Sequence, residues 1–171
     1  RGHFIRSNHA PGDSSLPVPG DGRSVRIPLT PPVSLVNRLT LRPFNTLYYW
    51  RQTARQVRNQ QHYQSYFYPL DGIGDWNRIY GPRGFLQHQC VLPAPVAQDA
   101  VSALLKEISK SGQGSFLAVL KEFGSLPSPG MLSFARPGTT LALDFPNTGN
   151  SVLKLLQRLD LVVTEAGGTL Y

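Results

Sequence analysis

The sequence predicts an α+β fold in which an antiparallel sheet carries helices on one of its faces. One observation is an alternation of apolar and polar residues, which is the pattern of half-buried strands. It occurs at 84–92, 115–123 and 139–145. The other is an apolar spacing of three to four residues at 96–111 and 151–166, typical of amphipathic helices. With a short final strand in "TLY", residues 84–171 have the β-α-β-β-α-β order of a ferredoxin-like unit.

A loop-rich and then helical extension precedes this unit. Residues 1–32 hold six prolines and four glycines, and short strands are expected there in "HFIRSN" and "SVRIPL". The stretch between them, "APGDSSLPVPGDG", is a turn-rich loop. Within residues 33–83, the spacing predicts a helix in "VSLVNRLTLR" and a second, opened by Pro43, in "PFNTLYYWRQTARQ". Residues 56–68 lack periodicity and are expected to form a mobile loop.

Glycines and small polar residues mark the helix ends in the second half of the chain. Gly112 is expected to end the first helix, because glycine accepts the left-handed conformation common at that point. The stretch "NTGNS" offers N-cap residues for the second helix, and Gly167 and Gly168 close it.

Alternation along the strands sorts their side chains onto two faces. The face beneath the helices is expected to hold Leu86, His88, Cys90, Phe116, Ala118, Leu120, Leu141, Leu143 and Phe145. The face left open is expected to hold Gln87, Gln89, Leu117, Val119, Lys121, Phe123, Thr140 and Ala142. A few polar groups among apolar walls are typical of a ligand pocket, and the alternative is a face half covered by another domain.

Composition and charge limit which partners and which cellular location are expected. Residues 1–90 contain eleven arginines, four aspartates and no lysine or glutamate, whereas residues 91–171 are neutral overall. This basic half leaves nucleic acid, phosphorylated small molecules and anionic membrane surfaces open as partners. Neither a signal peptide nor a membrane-spanning run is visible, so a cytoplasmic or peripheral membrane location is expected. The lone Cys90 excludes an internal disulfide, and the histidines lack metal-ligand spacing.

The arginines at 51, 55 and 58 carry a second functional hypothesis. Their i, i+4, i+7 spacing would put Arg51, Arg55 and Arg58 on one helix face. Basic groups among aromatic residues can bind single-stranded nucleic acid, so a basic, non-enzymatic ferredoxin-like module is the alternative class. An exposed arginine face above an aromatic packing patch is the structural alternative.

A motif in the middle of the chain resembles a known enzyme family. The stretch "YPLDGIGDWNRIYGPRGFLQHQCVLP" at 68–93 is similar to the decaprenylphosphoryl-β-D-ribose oxidases, which are vanillyl-alcohol-oxidase-like FAD enzymes. The similarity continues through "SGQGSFLAVLKEFG", "LSFARPGTTLALDFP" and "EAGGTLY". Residues 1–35 resemble the family only loosely.

The resemblance implies that residues 1–171 are a fragment of a substrate-binding, or cap, domain. In that family the cap closes over a flavin held by a separate FAD-binding domain, which is expected to be absent here together with a catalytic lysine. The implied reaction is oxidation of a sugar alcohol carbon to a ketone, in cell-wall sugar metabolism. A polyprenyl-phosphate pentose is the first choice of substrate, and a sugar lactone or other polyol the second. The isolated chain is expected to be inactive.

Matched position by position, the resemblance assigns the pocket to the open face. Gln87, Gln89, Leu117, Val119, Lys121, Phe123, Thr140 and Ala142 match pocket residues, and Phe67 falls in a loop over the pocket entrance. Gln89 is also expected to approach the flavin. The sequence departs from the family at Ala142, where some members carry cysteine, and at Thr140, where they carry asparagine. No residue of the chain is assigned as the catalytic base.

Overall fold

The computed structural model describes residues 3–12, 25–68, 70–116 and 118–171. Helices and strands follow one another along the chain as follows. They are β1 (Val25–Arg26), α1 (Arg38–Trp50), α2 (Tyr63–Phe67), β2 (Ile73–Gly74), a 3-10 helix (Trp76–Tyr80), β3 (Phe85–Leu92), α3 (Ala97–Ser111), β4 (Ala118–Phe123), β5 (Gly138–Pro146), α4 (Asn150–Glu165) and β6 (Thr169–Leu170). The α+β class is confirmed.

The main sheet has four strands in the spatial order β4-β5-β3-β6, and each neighbouring pair is antiparallel. The predicted β-α-β-β-α-β order of residues 84–171 is therefore confirmed, including the short strand near the last residue. The register of the two central strands pairs Gln87 with Asp144 and Gln89 with Ala142. Paired residues point to the same face of an antiparallel sheet, so this register fixes which side chains can share a site.

Helices α3 and α4 cover one face of the sheet and form the core with it. Their inward residues, among them Leu104, Leu155 and Leu159, are fully buried against Cys90 and Phe145 of the central strands. The helix α3 ends at Gly112, whose φ of 71° lies in the left-handed region, as the sequence predicts. Burying a leucine side chain stabilises the fold by roughly 1.5–3 kcal/mol, so these helix stripes hold the layers together.

The core does not extend to the edge strand β4, where the sequence prediction is wrong. Ala118 is exposed and Leu120 is 57% exposed, although both lie on the helix-bearing face as expected. Phe116 is half-buried and packs its ring edge-on against Phe44 of α1, with 4.6 Å between ring centroids. Strand alternation identifies the face correctly, but it cannot show how far across the sheet two helices reach.

The N-terminal strands are also corrected. The described part of "HFIRSN" contains no strand, since it has no partner to pair with, and His3 instead contacts the rings of Tyr48 and Tyr49. The strand expected in "SVRIPL" is reduced to β1, which pairs in parallel with β2. Most of the loop "APGDSSLPVPGDG" lies outside the described residues.

One helix, α1, replaces the two that the sequence predicts at 33–56. Its N-terminus is set by Asn37, whose side chain accepts hydrogen bonds from the backbone amides of Leu39 and Thr40, completing a capping box. Pro43 lies inside the helix rather than at its start. Proline has no amide hydrogen and its ring crowds the carbonyl four residues earlier, so Pro43 costs α1 one backbone hydrogen bond and disfavours regular helix geometry at Leu39.

Helix α1 ends at Trp50, which corrects the prediction for the three arginines. Arg51 forms its C-cap, while Arg55 and Arg58 follow in irregular backbone, so they do not share a helix face. All three are exposed. The loop expected at 56–68 contains the short helix α2, which begins after His62, and its mobility stays a prediction.

Candidate functional site

The open face of the sheet is covered at both ends and left accessible between them. Its accessible strip, which we call the open strip, consists of Gln87, Gln89, Val119, Lys121 and Ala142, all exposed or half-buried. The register of β3, β4 and β5 makes Ala142 the neighbour of both Gln89 and Val119. These five sequence-predicted residues are therefore brought together by the fold.

Aromatic residues of the 3-10 helix cover one end of this face. Tyr80 is buried and its ring lies 4.7 Å from the ring of Phe85, while Trp76 lies 5.4 Å from it. Arg78 anchors the segment to the N-terminal extension, donating hydrogen bonds to the carbonyl oxygens of Ile27 and Pro28 at 2.9 and 3.1 Å. The segment thus forms a wall beside the open strip.

The chain between β4 and β5 covers the other end. Phe134 contacts Phe123 at the end of β4 and Tyr171 just after β6, with ring centroids 6.4 and 5.4 Å apart. Arg136 donates a hydrogen bond of 2.6 Å to the carbonyl oxygen of Gly167. Since β4 and β6 are the two edge strands, Phe134 forms an aromatic bridge between the two sides of the sheet.

The two glutamines both direct their amide nitrogen toward β5. Gln87 Nε2 donates to Asp144 Oδ1 at 3.0 Å, and Gln89 Nε2 donates to Thr140 Oγ1 at 3.4 Å. A primary amide carries its oxygen opposite its nitrogen, so each glutamine keeps a carbonyl oxygen for another partner. Among the described residues neither oxygen has a hydrogen-bond partner. The strip therefore offers two acceptors two residues apart, about 7 Å along the strand.

Asp144 is a site residue that our sequence reasoning missed. Its side chain is 1% exposed, and within the described part of the chain its Oδ2 atom is buried without a hydrogen-bond partner. Burial raises the pKa of Asp144, and the hydrogen bond from Gln87 partly opposes that change. The sequence signal was present, since a carboxylate in the apolar run "LALDF" falls on the same face as Ala142. An unpaired buried carboxylate oxygen is costly, and such groups concentrate at functional sites.

The phenol of Tyr80 shares this environment. Burial and then the nearby carboxylate of Asp144 raise the pKa of Tyr80 well above its ordinary value, so the phenol stays protonated at neutral pH. It is consequently available as a hydrogen-bond donor rather than as a proton acceptor.

The remaining predicted residues differ in how well they fit the open strip. Thr140 is 2% exposed and lies behind Gln89, and Phe123 is half-buried under the aromatic bridge. Phe67 is exposed on α2, where its ring contacts are with its chain neighbours Tyr66 and Tyr68. Leu117 lies outside the described residues.

His88 lies on the opposite face, beneath the helices, as the alternation predicts. Its ring is buried under the helices, and Nε2 lies 3.1 Å from Oδ1 of Asp160 on α4. Burial lowers the pKa of His88, and the carboxylate of Asp160 partly raises it again. Cys90 is also fully buried there, and burial raises the pKa of its thiol, which makes it a poor nucleophile.

Other surface features do not gather the predicted residues. A groove of about 380 Å³ lies between α3 and α4, and one of about 440 Å³ lies between α3 and β4. Neither is lined by a residue of the open strip. Within the ranges that the structure covers, no group of three His, Cys, Asp or Glu side chains could hold a metal ion. No helix in those ranges is long and apolar enough to cross a bilayer.

Comparison with known proteins supports the resemblance seen in the sequence. No protein-family model matches the chain. The chain is 37% identical over 140 residues to decaprenylphosphoryl-beta-D-ribose oxidase of Mycolicibacterium smegmatis, an alignment that covers 82% of this chain and 30% of that protein. It is 27% identical over 180 residues to an uncharacterized protein in the mprA 5'region of Streptomyces coelicolor, covering 98% of this chain and 48% of that protein. The chain thus spans less than half the length of either relative.

Proposed function

We propose that this chain is the substrate-binding part of an FAD-dependent oxidoreductase that oxidises a sugar alcohol carbon to a ketone. The similarity to a named oxidase over most of the chain supports the reaction class. The observation that carries the role of this part is the pair of glutamine oxygens on the open strip, unpartnered among the described residues. Two amide acceptors beside apolar and aromatic groups suit a polyol, whose hydroxyl groups donate hydrogen bonds.

Each residue of the open strip has a distinct task in this proposal. Gln87 and Gln89 accept hydrogen bonds from two hydroxyl groups and so orient the sugar ring. Val119 and Ala142 contact its apolar surface and exclude water. Lys121, which is exposed at the edge strand, places a positive charge where a phosphate group can reach it. The positive charge of Lys121 favours a polyprenyl-phosphate pentose over an uncharged sugar lactone, because only the phosphate gains a charge-assisted contact from it.

The residues of the chain fit beside a flavin but not around all of it. The open strip combines two amides and a lysine with the apolar side chains of Val119 and Ala142, a mixture that suits one side of an isoalloxazine ring. The sequence carries no glycine-rich phosphate-binding motif, so we assign the pyrophosphate and adenine to a separate FAD-binding domain of the full-length protein. When bound, the flavin supplies the hydride acceptor, and the residues named here position the alcohol carbon for that transfer.

Anaerobic flavin reduction by the full-length protein tests the proposal. A short-chain prenyl-phosphoryl pentose should bleach the visible flavin absorbance and lose two hydrogens by mass spectrometry. A sugar lactone and a free pentose serve as comparison substrates. Faster reduction by the lactone would move the assignment to a lactone or polyol oxidase, and no reduction by any of the three would refute it.

The variant Lys121→Gln separates the two substrate classes. It should raise the KM for the phosphorylated pentose by roughly ten- to a hundredfold, since a charge-assisted hydrogen bond contributes roughly 1.5–3 kcal/mol, and leave the free pentose unaffected. Lys106→Gln is the matched control, because Lys106 is exposed on α3, away from the open strip.

A further inference from the structure

The contact between Gln87 and Asp144 differs in kind from the contact between Gln89 and Thr140. A hydroxyl both donates and accepts, so Thr140 can bind either end of the Gln89 amide. A carboxylate only accepts, so Asp144 can bind the nitrogen of Gln87 but repels its oxygen. The chemistry of Asp144 therefore fixes which end of the neighbouring amide turns away from β5.

Asp144 is itself held in place. Its backbone amide donates to Ser115 Oγ at 3.1 Å, and its Cα is paired with that of Gln87 across the strands. Its side chain is 1% exposed, so a ligand on the open face does not reach it directly. Gln87 Nε2 donates to its Oδ1 at 3.0 Å, and among the described residues its Oδ2 has no hydrogen-bond partner. Gln87 thus connects the buried carboxylate of Asp144 to the open strip.

We propose that Asp144 is a positioning residue, which holds Gln87 with its amide oxygen toward the ligand and so makes this point of the site select a hydroxyl group. The inference rests on the proposed function and adds that Gln87 binds a hydroxyl group of the substrate. An amide oxygen accepts a hydrogen bond from a hydroxyl but repels phosphate and carboxylate oxygens. The anionic group of the substrate must therefore lie elsewhere along the open strip.

A double-mutant cycle in the full-length protein tests this role. Binding is measured by calorimetry with the flavin reduced beforehand, so that no turnover occurs. The probes are a farnesyl-phosphoryl pentose and its deoxy analogues, each lacking one hydroxyl. Gln87→Leu and Asp144→Leu should each weaken binding of the intact probe by about three- to tenfold, the loss of one hydrogen bond. The double variant should be no weaker than either single variant.

Two further comparisons exclude a merely structural effect. Asp144→Asn should bind the intact probe with an affinity between those of the wild type and Asp144→Leu, because its Oδ1 can still accept from Gln87 Nε2 while its Nδ2 can instead donate to the Gln87 oxygen. One deoxy analogue should bind the wild type three- to tenfold more weakly than the intact probe, and this difference should vanish in Asp144→Leu. If Asp144→Leu does not fold, the deoxy series on Asp144→Asn and Gln87→Leu still decides, since both variants keep a side chain of similar size.

The outcomes separate this inference from the proposed function. Additive losses in the double variant, or equal binding of every deoxy analogue to the wild type, would overturn the positioning role while leaving the oxidase assignment intact. Failure of the wild type to bind the intact probe at all would instead count against the proposed function.

Discussion

His88 and Asp144 are two buried ionisable residues whose neighbours give them opposite uses. His88 lies among the apolar residues under the helices, and one exposed carboxylate, Asp160, binds its ring. Asp144 lies on the other face, where it accepts a hydrogen bond from Gln87 of the open strip. Burial of a polar group is costly on either face, but the cost at Asp144 is incurred beside a candidate binding surface.

The pH dependence of stability should report on His88. Burial lowers the pKa of His88 in the folded chain below its ordinary value of 6.5, so the unfolded chain binds more protons than the folded one just below that pH. The free energy of unfolding should therefore fall as the pH drops below about 6.5 and be fully present above it. Urea unfolding between about pH 5 and 8 measures this, and His88→Leu should flatten the slope. An unchanged slope would show that His88 makes no contribution.

The central test of the face assignment concerns Gln89. In the full-length protein, Gln89→Leu should keep the fold but slow flavin reduction by roughly ten- to a hundredfold, if its oxygen binds a group that gains charge in the transition state. His88→Leu is the opposite control, because it lies one residue away on the helix-bearing face and should mainly change the melting temperature. Wild-type flavin reduction by Gln89→Leu together with slow reduction by His88→Leu would invert the two faces.

At the scale of elements, the sequence predicts the second half of the chain far better than the first. Helices α3 and α4 carry strong apolar stripes, and glycines follow the last turn of each, so these local signals agree with the packing. The side-chain N-cap expected in "NTGNS" is wrong, because Gly149 occupies the N-cap position of α4 and no side chain there caps the helix. In the first half, the apolar spacing predicts two helices, but the structure has one helix, α1, which begins after Asn37. Pro43 lies inside this helix. Local spacing cannot decide between these arrangements.

The candidate site shows a similar division. Alternation places Gln87 and Gln89 correctly beside Ala142, because period-two geometry is a local property of a strand. The role of Asp144 depends on its partner across the sheet and on the register of β3 and β5, which one strand does not encode. Phe134 likewise covers the open face through contacts with Phe123 and Tyr171. The spacing of residues along one strand cannot predict these contacts.

The junction of β3 and β5 offers a sharp test of the sheet. Gly138 has a φ of 144°, and a Cβ there would lie 2.2 Å from the carbonyl oxygen of Leu92. Gly138→Ala should therefore lower the free energy of unfolding by about 2 kcal/mol or more, since both the backbone conformation and the contact oppose it. Gly124→Ala is the matched control, because a Cβ there meets nothing within 4 Å. Equal urea midpoints for the two variants would contradict the register.

At the scale of the whole molecule, the distribution of charge and of exposed apolar groups is uneven. No acidic residue occurs between Asp21 and Asp71, whereas seven arginines do. Helix α1 in this stretch exposes large apolar side chains, with Leu39 86%, Leu47 74% and Trp50 61% exposed. The layers of the main sheet, by contrast, bury their apolar residues under α3 and α4.

The purified 171-residue chain should be colourless and catalytically inactive. In the proposed function the open strip meets only one side of the flavin ring, and the sequence contains no glycine-rich motif for the pyrophosphate. Absorbance spectroscopy after incubation with FAD and gel filtration measures the bound flavin. A stoichiometric flavin spectrum would show that the chain binds the cofactor by itself.

We further propose that α1 and the three arginines after it contact an anionic membrane surface. Arginines attract anionic headgroups, and exposed leucine and tryptophan side chains insert at the boundary between headgroups and acyl chains.

In co-sedimentation, the full-length protein should bind vesicles containing phosphatidylserine and not those of phosphatidylcholine alone. The triple variant Arg51→Gln, Arg55→Gln, Arg58→Gln should bind at least tenfold more weakly, because each basic residue near the surface contributes about 1 kcal/mol. The control Lys106→Gln, Lys110→Gln, Lys154→Gln removes the same charge from α3 and α4 and should bind normally. If both triple variants bind the vesicles equally weakly, the net charge of the protein explains the binding and no contact of the three arginines is needed. Loss of salt-sensitive binding to single-stranded oligonucleotides in the arginine variant, with vesicle binding unchanged, would identify the stretch as a nucleic-acid contact instead.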